Sequence, residues 1–145
     1  MRTLFCAALV VAACAPGEKA GTAAAGGPGQ KFVGTFEGRS YRQASDTGIP
    51  WRTIMSIAPD GSLRGTLTFT SITAGPVPIR VREITGSKLV QELGPYHSPT
   101  LNRDVISKST AEVKGDSLTG EFEARPAEGG EVLLKGTFRA KRASS

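Results

Sequence analysis

The sequence predicts an all-β domain folded as a single antiparallel up-and-down β-barrel of about eight strands. Three observations lead to this prediction. From Lys31 onward, apolar and polar residues alternate, turn residues recur at short intervals, and one glycine-centred motif occurs four times. Strict alternation is typical of antiparallel strands with one buried and one solvated face. A β-sandwich, in which two such sheets pack face to face, is the alternative architecture.

The alternation is clearest at 63–70, 118–125 and 132–141, where every second residue is apolar or glycine. Aspartate and glycine in the segments 59–62 and 114–117 predict tight hairpin turns, because both residues suit turn conformations. No segment shows a convincing helical period. We predict strands at 31–41, 51–58, 63–70, 78–84, 88–93, 104–114, 118–125 and 132–141.

The repeated motif places a glycine on the inward face of a strand between two large apolar side chains. It occurs at 32–38, 63–69, 118–124 and 134–140, with its glycines at Gly34, Gly65, Gly120 and Gly136. Glycine inside a strand weakens it, so the repetition indicates a geometric requirement, either sharp coiling of the sheet or close approach of another backbone or ring. We interpret the motif as a sign of barrel closure. The interior of such a barrel either fills with side chains or holds one small ligand.

Two segments resemble the lipocalin and avidin group of small barrels. Gly34-Thr35-Phe36 is similar to the glycine-x-tryptophan opening of those families, and the segment 60–66 resembles the avidin-like hairpin that follows. Phe36 stands where tryptophan is expected, the later tryptophans that wall a biotin pocket are missing, and Trp51 is the only indole in the chain. The resemblance covers roughly the first third of the domain. The resemblance implies a barrel architecture, but it does not indicate which ligand the barrel binds.

The first residues have the composition of an export signal. Arg2 precedes an apolar run from Leu4 to Ala13, which is about half the length of a transmembrane helix, so we predict a signal peptide at 1–13. Val11-Ala12-Ala13-Cys14 resembles the lipobox of bacterial lipoproteins. The resemblance implies cleavage before Cys14 and a diacylglyceryl lipid on its thiol, with ordinary cleavage after Ala15 as the alternative.

Residues 14–30 are dominated by alanine, glycine, proline and threonine and predict a flexible tether before a barrel domain at 31–142. The resemblance to lipoproteins implies that the protein binds the membrane through the lipid on Cys14. We therefore expect an exported protein anchored in the cell membrane or outer membrane, with its domain outside the cytoplasm. Ala15 stands where some bacteria use aspartate to retain lipoproteins at the inner membrane, which favours the outer membrane.

Charge and cysteine usage exclude several classes of function. The net charge is +5, but basic residues are dispersed, whereas a nucleic-acid site needs clustered basic residues with stacking aromatics. Cys6 falls in the signal peptide and Cys14 would carry lipid, which leaves the barrel without a thiol for a disulfide or a metal. We expect a monomer that binds no nucleic acid and needs no cofactor.

A search for catalytic groups centres on His97, the only histidine, in the proline-containing segment 94–99. A Ser-His-Asp arrangement would require Ser98 or Ser107 as the nucleophile and Asp104 as the orienting carboxylate. No nucleophile elbow presents either serine. We therefore predict no catalytic residue, no metal site and no enzymatic activity. A hydrolase or isomerase that uses the His97 segment is the alternative from another functional class.

With catalysis not indicated, binding is the remaining class of function. Binding groups in barrels lie at the mouths, and the candidates there are Trp51, Tyr96, His97 and Arg103. Inward-facing Thr53, Ser107 and Ser109 lie beside small residues, which indicates either unfilled interior volume or the taper of a narrow barrel. We predict a non-catalytic binding or structural module of the cell envelope that contacts another envelope protein. The alternative is a carrier of a small apolar ligand in the barrel interior.

Overall fold

The computed structural model describes residues 27–144 and confirms the predicted fold class. Each strand is antiparallel to the next, and the last strand pairs with the first, so the barrel is closed. The strands are β1 (Gly34–Tyr41), β2 (Ile49–Ile57), β3 (Leu63–Phe69), β4 (Val77–Thr85), β5 (Lys88–Ser98), β6 (Arg103–Lys114), β7 (Ser117–Pro126) and β8 (Leu134–Arg142). This sequential order around one closed sheet is an up-and-down barrel, and the β-sandwich alternative was wrong.

The first strand begins later than the alternation indicates. Residues Gln30–Phe32 form a short 3-10 helix, and β1 starts only at Gly34. The Phe32 side chain is nevertheless buried, as its position in the repeated motif requires. Three residues are too few to produce a helical period, so the sequence pattern does not distinguish this helix from the start of a strand.

The fifth strand is longer than predicted. The sequence predicts that this strand ends at residue 93, before the proline-containing segment 94–99, but β5 continues to Ser98. The pairing of β5 with β6 shifts register between Leu93 and Tyr96, at a bulge where Gly94 adopts a φ of 105°. Proline is tolerated at a bulge because the regular ladder is interrupted there.

Three of the four motif glycines lie opposite a large side chain on the neighbouring strand. Gly120 is paired with Phe138, Gly136 with Phe122, and Gly65 with Met55 on the neighbouring strand. In each pair the large side chain lies over the glycine, where a Cβ atom would overlap it. The requirement inferred from the motif is therefore the close approach of neighbouring side chains as the sheet closes.

The two ends of the barrel differ. At the closed end, the 3-10 helix lies beside the tight turns that join β2 to β3 and β4 to β5, with Gly29 against Ile57 and Leu63. Arg142 holds this helix in place, because its guanidinium lies 4.5 Å from the centre of the Phe36 ring and donates hydrogen bonds to the carbonyl oxygens of Val33 and Lys31. The opposite, open end has the longer loops 42–48, 70–76, 99–102 and 127–133.

The predicted signal peptide, Cys14 and the predicted tether up to residue 26 lie outside the described residues. The described chain starts at Gly27 and reaches the closed end at Gly29, which is buried there. Within residues 27–144, no helix has the length and hydropathy that crossing a membrane requires.

Candidate functional site

The barrel interior contains a cavity of about 620 Å³. Residues of the 42–48 and 99–102 loops line its upper part, so it reaches the open end, and Phe32 lines it towards the closed end. The volume lies within the range of about 300–1,000 Å³ that small-molecule sites occupy. Thr53, Ser107 and Ser109 all line the cavity, so these small inward-facing residues coincide with unfilled volume.

The wall of the cavity is mostly apolar because alternation turns every second side chain of each strand inward. Trp51 of β2 and Phe138 of β8 meet edge to face, with ring centres 6.0 Å apart. Phe69 of β3 and Tyr96 of β5 are 5.5 Å apart between ring centres. Aromatic pairs in such arrangements contribute about 0.5–1.5 kcal/mol beyond the burial of their surface, so these rings stabilise the wall.

Three polar groups of the wall have partners within the barrel. The Trp51 Nε1 group donates to Ser40 Oγ at 2.8 Å, and Thr53 Oγ1 donates to the Thr66 carbonyl oxygen at 2.8 Å. The Tyr96 hydroxyl and Ser107 Oγ are 2.7 Å apart. Burial raises the pKa of Tyr96, so its hydroxyl stays protonated and available as a donor.

Two buried polar atoms of the wall differ from these. Gln91 Oε1 and Ser109 Oγ have no hydrogen-bond partner in the described part of the chain, although their residues are only 8% and 5% exposed. Gln91 and Ser109 are directly paired across β5 and β6. Side chains paired in this way have Cβ atoms about 4.5–5.5 Å apart, so both groups occupy one part of the cavity. A buried polar atom without a partner costs about 1–3 kcal/mol of stability.

Charge is confined to the rim. Among the described residues that line the cavity, the charged ones are Arg42 and Asp46, both in the loop between β1 and β2. Asp46 accepts hydrogen bonds from the backbone N–H groups of Arg42 and Gln43 at 3.0 and 3.2 Å. Desolvation opposes ionisation of Asp46, but these bonds and the Arg42 guanidinium outweigh it and lower the pKa of the carboxyl group. The pair therefore stabilises the loop itself.

The four residues predicted at the mouth divide into two pairs. Trp51 and Tyr96 line the cavity. His97 faces outward, with 61% of its side chain exposed, and Arg103 is paired with Glu128 of the 127–133 loop at 2.6 Å. The structure thus brings Trp51 and Tyr96 into one site and leaves His97 and Arg103 on the outer surface.

The His97 ring has partners on both nitrogens. Its Nδ1 lies 3.1 Å from Asp104 Oδ1, and its Nε2 lies 3.2 Å from Asn102 Oδ1. The hydrogen bonds to Asn102 and then to Asp104 raise the pKa of His97, because the doubly protonated ring can donate to both oxygens. Ser98 and Ser107 line the cavity, so the ring and both serines lie on opposite faces of the barrel wall.

Gln91 was missed by the sequence analysis, although a signal was present. It occupies an inward position of the predicted strand at 88–93, between Leu89 and Leu93, where alternation predicts an apolar side chain. A polar residue at such a position indicates a buried hydrogen-bonding group.

Comparison of the chain with protein-family models, curated proteins and solved structures gave no match. Among residues 27–144, no group of three or more His, Cys, Asp or Glu side chains is arranged to hold a metal ion. The fold and the cavity define a class of protein, the small closed antiparallel barrel, and they are consistent with the calycin-like architecture of the lipocalin and avidin group.

Proposed function

We propose that this protein is a non-catalytic binding module of the cell envelope, anchored through lipid on Cys14, whose barrel holds one small, mostly apolar molecule. The observation that supports this most directly is the cavity of about 620 Å³, open at one end and walled by aromatic and aliphatic side chains. Its size and its mostly apolar wall are those of small-molecule sites.

Energetics favour a binding role over a purely structural one. Protein interiors are close-packed, and unfilled volume lowers stability because the residues around it lose contacts. A purely structural barrel would gain from larger apolar side chains at Thr53, Ser107 and Ser109, which border this volume. Small residues at these inward positions instead preserve space for a ligand.

The position of the chain entry is compatible with binding by a tethered barrel. The described chain begins at the closed end, and the cavity opens at the opposite end. A flexible tether over residues 14–26 would have an end-to-end distance of about 20 Å. Because such a tether leaves the domain free to turn and joins it at the closed end, it does not obstruct the mouth, which stays accessible to a ligand.

The binding proposal is tested with N-phenyl-1-naphthylamine, a neutral apolar dye that fluoresces in apolar surroundings. We expect saturable binding of one dye molecule to the wild-type protein. Leu67→Trp places a larger ring in the cavity and should weaken dye binding at least tenfold, a free-energy change of about 1.4 kcal/mol. Thr66→Trp adds the same ring to the outer face of the same strand and should leave binding unchanged.

Thermal unfolding measured in parallel verifies that both variants are folded. If Leu67→Trp does not fold, Leu93→Phe fills the same cavity from β5 and replaces it. Equal dye binding by the cavity-filling variant and the wild type would contradict the proposal, as would the absence of saturable binding to the wild type.

The anchor is tested separately by the intact mass of the full-length protein extracted from the membranes of a bacterial host. The expected mass is that of a chain beginning at Cys14 with its acyl groups, and Cys14→Ser should move the protein to the soluble fraction. An unmodified chain beginning at Pro16 would contradict the anchor while leaving the binding proposal intact. A free secreted carrier would then be the better description.

A further inference from the structure

We propose that the ligand is uncharged and carries one neutral polar group, of the carboxamide, urea or alcohol class, which binds to Gln91 and Ser109 deep in the cavity. This inference rests on the proposed binding function and specifies the chemistry of the molecule that the barrel holds.

The first argument is the unused hydrogen-bonding capacity. Gln91 Oε1 and Ser109 Oγ are buried without partners, whereas the neighbouring Tyr96 hydroxyl and Ser107 Oγ bond to each other. Leu93 pairs with Ser107 one step nearer the open end than the Gln91 and Ser109 pair. The unpartnered atoms are therefore localised in one layer of the wall and are not scattered over it. A ligand group in that layer would satisfy both once the Gln91 and Ser109 side chains rotate to turn these buried oxygen atoms toward it.

The second argument is depth. The inward side chains of β5, taken from the open end, are Ser98, Tyr96, Leu93 and then Gln91, so three of them separate Gln91 from the rim. The polar group of the ligand would therefore enter first, and its apolar remainder would lie between Gln91 and the open end. That part of the cavity is lined by Phe69, Leu93 and Trp51, which suit an alkyl or aromatic group.

The third argument concerns charge. Burying an ionised group is unfavourable unless an opposite charge pairs with it. The described charged residues of the lining are Arg42 and Asp46, which belong to the rim and pair with each other. Near Gln91 and Ser109 a carboxylate or ammonium group would find only neutral partners. A neutral polar group avoids this desolvation cost.

The hydrogen-bond donors and acceptors of Gln91 and Ser109 further restrict the chemical class of the ligand. A glutamine amide offers an acceptor oxygen and a donor NH₂ group, and a serine hydroxyl is both donor and acceptor. A carboxamide or urea complements the glutamine amide with two antiparallel hydrogen bonds. An alcohol can make one bond to each residue. A hydrocarbon leaves both protein atoms unpartnered.

The experiment compares octanamide, octanoate and octylamine at pH 7, which share the alkyl tail and differ in the charge of the head group. Affinities are measured by displacement of N-phenyl-1-naphthylamine and by the fluorescence of Trp51, the only indole in the chain and part of the cavity wall. We expect octanamide to bind at least tenfold more tightly than octanoate or octylamine.

Substitutions then test the two residues. Gln91→Leu and Ser109→Ala should each weaken octanamide about tenfold, the effect of losing one well-formed hydrogen bond, while affinity for the dye stays unchanged or rises. Thr110→Ala removes a hydroxyl from the outer face beside Ser109 and should change neither affinity. Thermal unfolding without ligand should show both cavity variants at least as stable as wild type, since each removes an unpartnered buried atom.

The outcomes separate this inference from the proposed function. Dye binding with no preference for octanamide, or octanamide binding that Gln91→Leu and Ser109→Ala leave unchanged, would overturn the inference and preserve the binding function. Failure of the wild-type protein to bind the dye would overturn the binding function itself. If Gln91→Leu does not fold, Gln91→Met, which also lacks the amide, is measured in its place.

Discussion

Replacing Phe36 by alanine is expected to lower the free energy of unfolding by about 3–5 kcal/mol. Phe36 is 1% exposed, points inward from β1, and is covered by the Arg142 guanidinium at the closed end. Truncation removes the ring from the core, enlarges the existing cavity and leaves Arg142 without its aromatic neighbour. Domains of this size have a total stability of about 5–15 kcal/mol, so the loss is a large part of the whole.

Urea unfolding followed by far-ultraviolet circular dichroism measures this change. Ile54→Ala is the matched control, because Ile54 lies on the next strand, points outward and is 54% exposed. We expect that variant to change stability by less than about 0.5 kcal/mol. Similar effects for the two variants would mean that the inward face of β1 does not form the core as described.

The fold was predictable because the sequence alternates where one side of the sheet is buried. The strands at 63–70, 104–114 and 118–125 were each located to within one or two residues, since each is bounded by one of the tight turns at 59–62 and 114–117. The 3-10 helix at Gln30–Phe32 could not be predicted in the same way, because the hydrogen bond that holds it comes from Arg142 at the far end of the chain. Contacts at such separation leave no local pattern.

The site was predictable only in part, and the bulge in β5 explains why. Inward positions at Thr53, Ser107 and Ser109 follow from simple alternation within their strands. In β5, alternation from Leu93 would turn residue 97 inward and residue 96 outward. The register shift after Leu93 reverses this, so Tyr96 lines the cavity and His97 faces solvent. Because a one-residue shift exchanges the two faces, local sequence could not assign these side chains.

Substituting Gly120 by alanine is expected to cost about 2–3 kcal/mol of stability, although only one methyl group is added. A Cβ atom at this position would overlap the Thr110 carbonyl oxygen on β6 and the Phe138 ring on β8. The ring could rotate away, but the carbonyl belongs to the backbone, so relief requires movement of a whole strand. Gly136→Ala should behave alike, because its Cβ would overlap the Tyr41 carbonyl oxygen and the Phe122 ring.

Gly75→Ala provides the control for the intrinsic effect of adding a methyl group. Gly75 lies in the loop between β3 and β4, has open space around its Cα and requires no left-handed backbone conformation. Alanine there should leave stability unchanged or raise it by up to about 1 kcal/mol, because it restricts the unfolded chain. Equal unfolding midpoints for the Gly75 and Gly120 variants would show that the strand glycines are not required by close packing. A selective loss at Gly120 and Gly136 would instead show that barrel closure requires the close approach of neighbouring strands at these two glycines.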